Sequence, residues 1–179
     1  MKRKGDITEE SNRASNPIDL HMQIADLKQE LAKTRRALRY EIAESNTDEL
    51  TQILNRRGFK KVVAQEPEDV NGVALQFDLS GFKSINDQHG HDAGDTALKK
   101  FSSILQNFGM RTNDIVARMG GDEFTIILLN TSLDQATQRI EDLNQQTQNI
   151  KFSHDGKDLS FSARIGVGTF QNKTEIKIA

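Results

Sequence analysis

From residue 18 the chain reads as a helix whose apolar positions form one narrow stripe. Leu20, Ile24, Leu27, Leu31, Thr34 and Leu38 alternate spacings of four and three, with Lys28, Glu30, Lys33, Arg35 and Arg36 on the flanks. A stripe that narrow, in a segment free of Gly and Pro from 18 to 57, predicts the seam of a parallel, left-handed coiled coil. A single amphipathic helix packed on its own domain is the competing interpretation. Thr34 in the seam and a length of three heptads make such a coil marginal by itself. Residues 1–17, charged and without apolar periodicity, predict a disordered tail.

Downstream the pattern changes to short strands alternating with helices. Thr47 or Asp48 is placed to cap a turn leading DELTQILNRRGF into a helix that ends near Gln65. GVALQFDLS predicts a buried strand ending in an acid, and FKSINDQHG a short helix closed by Gly90. A longer helix follows from His91 or Asp92, with Ala93, Leu98, Phe101, Ile104, Leu105 and Phe108 on one face. DIVARM and DEFTIILL are β-prone runs joined by Gly120 and Gly121, a hairpin signal because a tight turn needs positive φ. SLDQATQRIEDLNQQTQ predicts a polar helix, FSARIGVGTF a strand, and KTEIKIA the first turn of a further helix. The expected architecture is α/β, with a central sheet covered by helices.

Composition narrows the function. With 24 basic and 26 acidic residues in 179, no broad nucleic-acid surface is expected, so an anionic ligand needs a local constellation. There are no cysteines, which excludes disulfides and thiolate metal sites. No apolar run approaches the ~18 residues of a membrane span, and the N-terminus lacks the apolar stretch of a secretory signal. A cytoplasmic domain is expected.

The acids sit where a ligand can meet them. Asp78 ends a strand, and Asp122 and Glu123 follow the Gly-Gly turn, so adjacent strand ends bring the three together. Clustered carboxylates repel unless a cation neutralises them, and oxygen ligands favour magnesium or manganese. Solvation of strand ends is the plainer role for each acid taken singly. Gly120 and Gly121 leave room for a ligand against the backbone, or serve the turn alone. Lys83 is positioned to reach phosphate oxygens, although a solvated helix lysine is the commoner outcome. His89 and His91 lack a third ligand and read as helix-boundary residues. Arg111 and Asp114 project from one turn, where Arg can grip a phosphate or a guanine edge and Asp can accept from guanine N–H groups; alone, such a pair is usually a local ion pair.

Four segments in order, DELTQILNRRGF, FDLSGFKSINDQHGHDAGDTAL, ARMGGDEFTIIL and FSARIGVGTF, resemble the GGDEF family of diguanylate cyclases over residues 46–179. The resemblance implies an α+β, nucleotidyl-cyclase-like domain with a ferredoxin-like core. Its mostly antiparallel sheet would be flanked by helices, with GGDEF at a β-hairpin. Residues 47–179 would form that domain and 18–46 a coiled-coil signalling helix. The implied activity is condensation of two GTP into cyclic di-GMP and pyrophosphate by two facing domains.

By the same resemblance, Asp78, the Leu79 backbone, Asp122 and Glu123 hold Mg2+ or Mn2+. Asp122 or Glu123 accepts the proton of the attacking 3′-hydroxyl. Asn86 and Asp95 recognise guanine. Gly81, Phe82 and Lys83 hold the terminal phosphates, Lys83 being counted with the catalytic residues. Gly120 and Gly121 lie under the nucleotide, and Arg111 with Asp114 forms an inhibitory site for product. A homodimer through the N-terminal helix is the expected assembly. Two departures accompany the resemblance: Ser80 stands where members often carry a second acid, and the C-terminal helix and last strand are expected to be truncated after KTEIKIA. Reduced activity, or a catalytically weak domain that senses cyclic di-GMP or GTP, is therefore the alternative expectation, with a dimerising scaffold as a third.

Overall fold

The computed structural model describes residues 17–108 and 114–176, and within the first helix the side chains of 21–36 and 46. The predicted tail to residue 16 lies outside the described residues, as do Arg111 and residues 177–179. The chain divides into two compact units, residues 1–42 and 43–179.

The first unit is helical. Helix α1 spans Pro17–Asn46, a length that continuous helix formers and the absence of Gly permit. Its described side chains from 21 to 36 are all exposed, including Ile24, Leu27 at 64% and Leu31 at 49%. Those apolar residues therefore form an uncovered stripe, as the seam of a coil would in one isolated strand of it. The Leu20 and Leu38 side chains of the predicted seam lie outside the described residues. Among the described residues no helix is long and apolar enough to cross a membrane.

The second unit is a six-stranded sheet with helices on both faces. In chain order it contains β1 (Leu54–Asn55), α2 (Arg56–Gln65), β2 (Gly72–Ser80), α3 (Phe82–His89) and α4 (His91–Phe108). There follow β3 (Ile115–Gly120), β4 (Glu123–Leu129), α5 (Leu133–Thr147), β5 (Ile150–His154), β6 (Lys157–Phe170) and a 3₁₀ turn at Lys173–Glu175. The sheet order is β1-β3-β4-β2-β6-β5, antiparallel throughout except for the two-residue β1–β3 pairing. The expected mostly antiparallel, helix-flanked α/β sheet is thus the observed one.

Alternation along β2 decides which residues enter each layer. Val73, Leu75, Phe77 and Leu79 are buried in the larger core beneath α4 and α5, whereas Ala74, Gln76, Asp78 and Ser80 take the other face. Phe101 of α4 packs edge-on against Phe77 at 5.6 Å, Phe124 at 4.9 Å and Phe161 at 6.4 Å. Because Phe77 precedes Asp78 and Phe124 follows Glu123, this aromatic knot fixes the strand ends that carry both acids. A smaller core on the opposite face joins Phe59 of α2 to Ala117, Met119, Ile127 and Phe170.

Two local expectations are corrected. Helix α2 starts only at Arg56, late in DELTQILNRRGF, and is capped by Asn55, whose side chain accepts from the Gly58 amide at 2.9 Å. Asp48 caps the turn before it, as expected, accepting from the Thr51 amide at 2.9 Å and hydroxyl at 2.6 Å. The second correction concerns β6, which begins at Lys157, before the predicted FSARIGVGTF, and forms a hairpin with β5 through Asp155 and Gly156. Both turn residues have positive φ, 47° and 73°, the geometry that an Asp-Gly pair favours in a two-residue hairpin.

Candidate functional site

The GGDEF hairpin turns within Gly121 and Asp122. Gly120 and Gly121 have φ of +154° and +50°, values that side-chain-bearing residues rarely adopt, and a Cβ on either would meet nothing within 4 Å. The glycines are thus required by the backbone, and the space above them is open. Arg118 holds the turn from behind, donating from Nε and Nη2 to the Gly121 carbonyl at 2.9 and 2.8 Å. Its Nη1 reaches Asp48 at 3.0 and 3.2 Å, tying the hairpin to the DELT turn.

Burial pushes the Asp48 carboxyl upward. The Thr51 hydroxyl and amide, followed by Arg118, outweigh that and leave it below its ordinary value of 3.8. A depressed carboxylate stabilises the fold fully above its unfolded value and loses that contribution as pH falls through its folded value. Asp48→Asn is therefore expected to cost about 1–3 kcal/mol at pH 7. Urea unfolding should show the gap between variant and wild type closing as pH falls below 3.8.

Across the sheet from this anchor, Asp78 and Glu123 are register partners on β2 and β4. Arg164 of β6 is the partner of Asp78 on its other side, and the two side chains form an ion pair. The row Glu123–Asp78–Arg164 thus crosses three neighbouring strands. It floors a cleft of about 460 Å³ whose walls include Gln76, Met119, Thr125 and Gly166. Asp122 is half-buried in the adjoining turn. Among the described residues no three His, Cys, Asp or Glu side chains converge on a common point. Two carboxylates beside the Leu79 backbone nevertheless suit magnesium, which keeps several waters and takes the rest of its shell from substrate phosphates.

Beyond Ser80 the strand turns directly into α3. Gly81 stands at the cap position with φ +89° and supplies no side-chain cap, so the first-turn amides at Phe82 and Lys83 face a place where an anion is favoured. Lys83 is exposed on that turn. Further along α3, Asn86 lies against α4: a Cβ on Gly94 would fall 2.0 Å from the Asn86 Oδ1. Gly94 therefore admits the Asn86 amide beside Asp95, and both polar residues are half-buried.

The predicted inhibitory pair is described only in part, since Arg111 lies outside the described residues. Asp114 is 3% exposed and pairs with Arg139 of α5 at 3.0 Å. Arg139 also stacks over the Phe108 ring at 4.7 Å, and its buried Nη1 has no hydrogen-bond partner among the described residues. Sequence reading missed Arg139 and Arg164, both of which appear locally as ordinary surface arginines. Thr96 meets His154 at 3.4 Å; His89 and His91 belong to no metal cluster among the described residues.

The site thus combines paired carboxylates on adjacent strands, an uncapped strand-to-helix turn and an open Gly-Gly hairpin. The family model described as "Diguanylate cyclase, GGDEF domain" matches residues 45–178, and the chain belongs to that family. Diguanylate cyclase DosC of Escherichia coli strain K12 is 30% identical over 171 residues, covering 91% of this chain and 37% of that protein. Cyclic di-GMP phosphodiesterase NbdA of Pseudomonas aeruginosa is 35% identical over 133 residues, covering 72% of this chain and 17% of that protein. The chain thus spans less than two fifths of the length of either relative. In fold it is similar to the coiled coil and GGDEF domain of DgcB from Caulobacter crescentus, solved in complex with cyclic di-GMP. That similarity has a TM-score of 0.75 at 21% identity, over 88% of this chain and 87% of the other.

Proposed function

We propose that the domain is a diguanylate cyclase, in which two facing copies each bind one GTP. Each 3′-oxygen attacks the partner nucleotide's α-phosphate; two ester bonds form, two phosphoanhydride bonds break, and two pyrophosphates leave. The observation that carries this reading is the Asp78–Glu123 register pair at the GGDEF hairpin, beside an uncapped α3 turn. Asp78, Glu123 and the Leu79 carbonyl, with Asp122 adjoining, are the groups that would hold Mg2+ or Mn2+. Such an ion supplies charge neutralisation at the reacting phosphate.

The remaining roles belong to the chain itself. The Gly81–Phe82 backbone and Lys83 receive the terminal phosphates, and Asp122 or Glu123 accepts the 3′-hydroxyl proton. Gly120 and Gly121 leave the hairpin tip open to the nucleotide. Asn86 and Asp95 read the guanine edge through hydrogen bonds that an adenine would leave unmade. Helix α1 contributes by pairing with a second copy, which raises the local concentration of the facing domain. Arg111 and Asp114 take up product, and the Arg139 Nη1 beside Asp114, which has no partner among the described residues, supports a further acceptor binding there. With these roles the protein acts in the cytoplasm, where GTP is found.

A variant separates guanine recognition from stability. Gly94→Ala gains about 1 kcal/mol of helix propensity, which offsets the cost of moving the Asn86 side chain. Its thermal midpoint is expected to stay close to wild type, while GTP affinity falls about tenfold by calorimetry. An unchanged affinity would remove Asn86 from the guanine site.

The test of the activity is incubation of purified protein with GTP and magnesium, followed by chromatography of the nucleotides. Cyclic di-GMP appearing as pyrophosphate is released supports the cyclase. A second reading, a binding module for cyclic di-GMP or GTP, is favoured by the likeness to NbdA, whose name carries a phosphodiesterase rather than a cyclase activity. Folded protein that binds either nucleotide and forms no product would select that reading.

A further inference from the structure

The cleft over the paired acids contains a cation of its own. Among its lining residues, Asp78, Glu123 and Arg164 are the charged side chains, and Arg164 is the single positive one. The Arg164 Nη2 is bonded to the Asp78 Oδ2, so the guanidinium rests on one of the two carboxylates assigned to the divalent ion. The Arg164 side chain is 79% exposed and that of Asp78 is 49% exposed. An ion pair so open to water is weakly held, and a long side chain with most of its surface free can turn away at little cost.

Two electrostatic requirements meet at this residue. In the nucleotide-free domain, Asp78 and Glu123 lie on neighbouring strands and repel each other, and Arg164 relieves that repulsion from the far side of Asp78. When a nucleotide triphosphate enters, the same cleft must accept several negative charges above two carboxylates. Asp78 is then better matched by a divalent ion than by a guanidinium, and the displaced Arg164 can fork onto phosphate oxygens, for which its geometry suits it.

We propose that Arg164 is an exchangeable counter-cation: it occupies Asp78 in the empty site, yields that carboxylate to the divalent ion, and then binds a phosphate of the incoming nucleotide. The proposal rests on the assignment of Asp78 and Glu123 as cation ligands. Arg164 would thereby couple metal and nucleotide binding, disfavouring metal alone and favouring the two together.

The test is titration calorimetry of the full chain with MnCl2 alone, and separately with a non-hydrolysable GTP analogue at saturating Mn2+. Wild type, Arg164→Ala, Arg164→Lys and Asp78→Asn are compared, with thermal midpoints confirming that each is folded. Arg164→Ala is expected to bind Mn2+ alone about two- to fivefold more tightly, the scale of an exposed ion pair, and the analogue at least about threefold more weakly. Arg164→Lys, which keeps the positive charge, should stay nearer wild type in both affinities, and the gain in Mn2+ affinity of Arg164→Ala should shrink at 0.5 M salt, about a fivefold higher ionic strength than the ~0.1 M at which the Debye length is ~10 Å. The proposal fails if either affinity remains at the wild-type value or if both move in the same direction. Should Mn2+ binding survive Asp78→Asn undiminished, the cation-ligand assignment falls and the proposal falls with it. Loss in Asp78→Asn without any change in Arg164→Ala overturns the proposal alone.

Discussion

Glu123→Gln is expected to lower cyclic di-GMP formation at saturating GTP by at least about 100-fold while leaving the fold intact. The side chain begins β4 exposed to solvent, so the isosteric amide fills the same space and disturbs no packing. What changes is charge. One carboxylate of the Asp78–Glu123 pair disappears, and with it part of the negative charge that would draw a cation to this corner of the sheet. Loss of the repulsion with Asp78 should leave the thermal midpoint equal to wild type or slightly above it. A fall in rate with an unchanged or raised midpoint therefore separates a chemical role from a structural one. Activity within threefold of wild type, measured by separating nucleotides after single-enzyme incubations, would place the chemistry elsewhere.

The second large effect concerns assembly. Combining Leu27→Asn with Leu31→Asn puts two amides into the exposed apolar stripe of α1. Both substitutions fall in the first compact unit, and the sheet domain forms its own from residue 43. If α1 pairs with a second copy, two polar layers in so short a seam should break the dimer. Encounter of two GTP-loaded domains then depends on bulk concentration. Specific activity at sub-micromolar protein should drop at least about tenfold and recover as protein concentration rises, since a tether that supplied an effective concentration has been lost. Sedimentation of the variant should give the monomer mass. A variant that remains dimeric with full activity at low concentration would show that the seam lies elsewhere.

Much of the domain was legible because its signals are local. The strand carrying Asp78, the short helix closed by Gly90 and the Gly120–Gly121 turn each depend on residues within a few positions of one another, and each appears where the pattern places it. The Asp155–Gly156 hairpin was equally local, but its flanking strands carry polar residues on an outer face and do not resemble a buried run. The charged contacts were not legible. Arg118 meets Asp48 across 70 positions and Arg164 meets Asp78 across 86. Arg139 meets Asp114 across 25. Each partner alone is an ordinary surface charge, and only strand register or helix docking brings the pairs together. That is why Asp48 reads from sequence only as a turn-capping residue, while in the fold it also anchors the GGDEF hairpin through Arg118.

The placement of acids is the part of the site from which the proposed chemistry follows. Alternation puts Gln76, Asp78 and Ser80 on the sheet face away from the larger core, and the register with β4 sets Glu123 beside Asp78. Phe101 holds the residues next to both acids from the opposite face. The carboxylates are therefore presented by packed strands rather than by loops, which suits a site that must position two reacting groups.

The most direct test of this arrangement is a crystal of the protein grown with Mn2+ and a non-hydrolysable GTP analogue, with diffraction recorded at the manganese absorption edge. The account predicts an anomalous peak bound by the carboxylates of Asp78 and Glu123, with the analogue's phosphates on the α3 turn. Manganese bound away from both carboxylates, with the analogue ordered in the site, would contradict it.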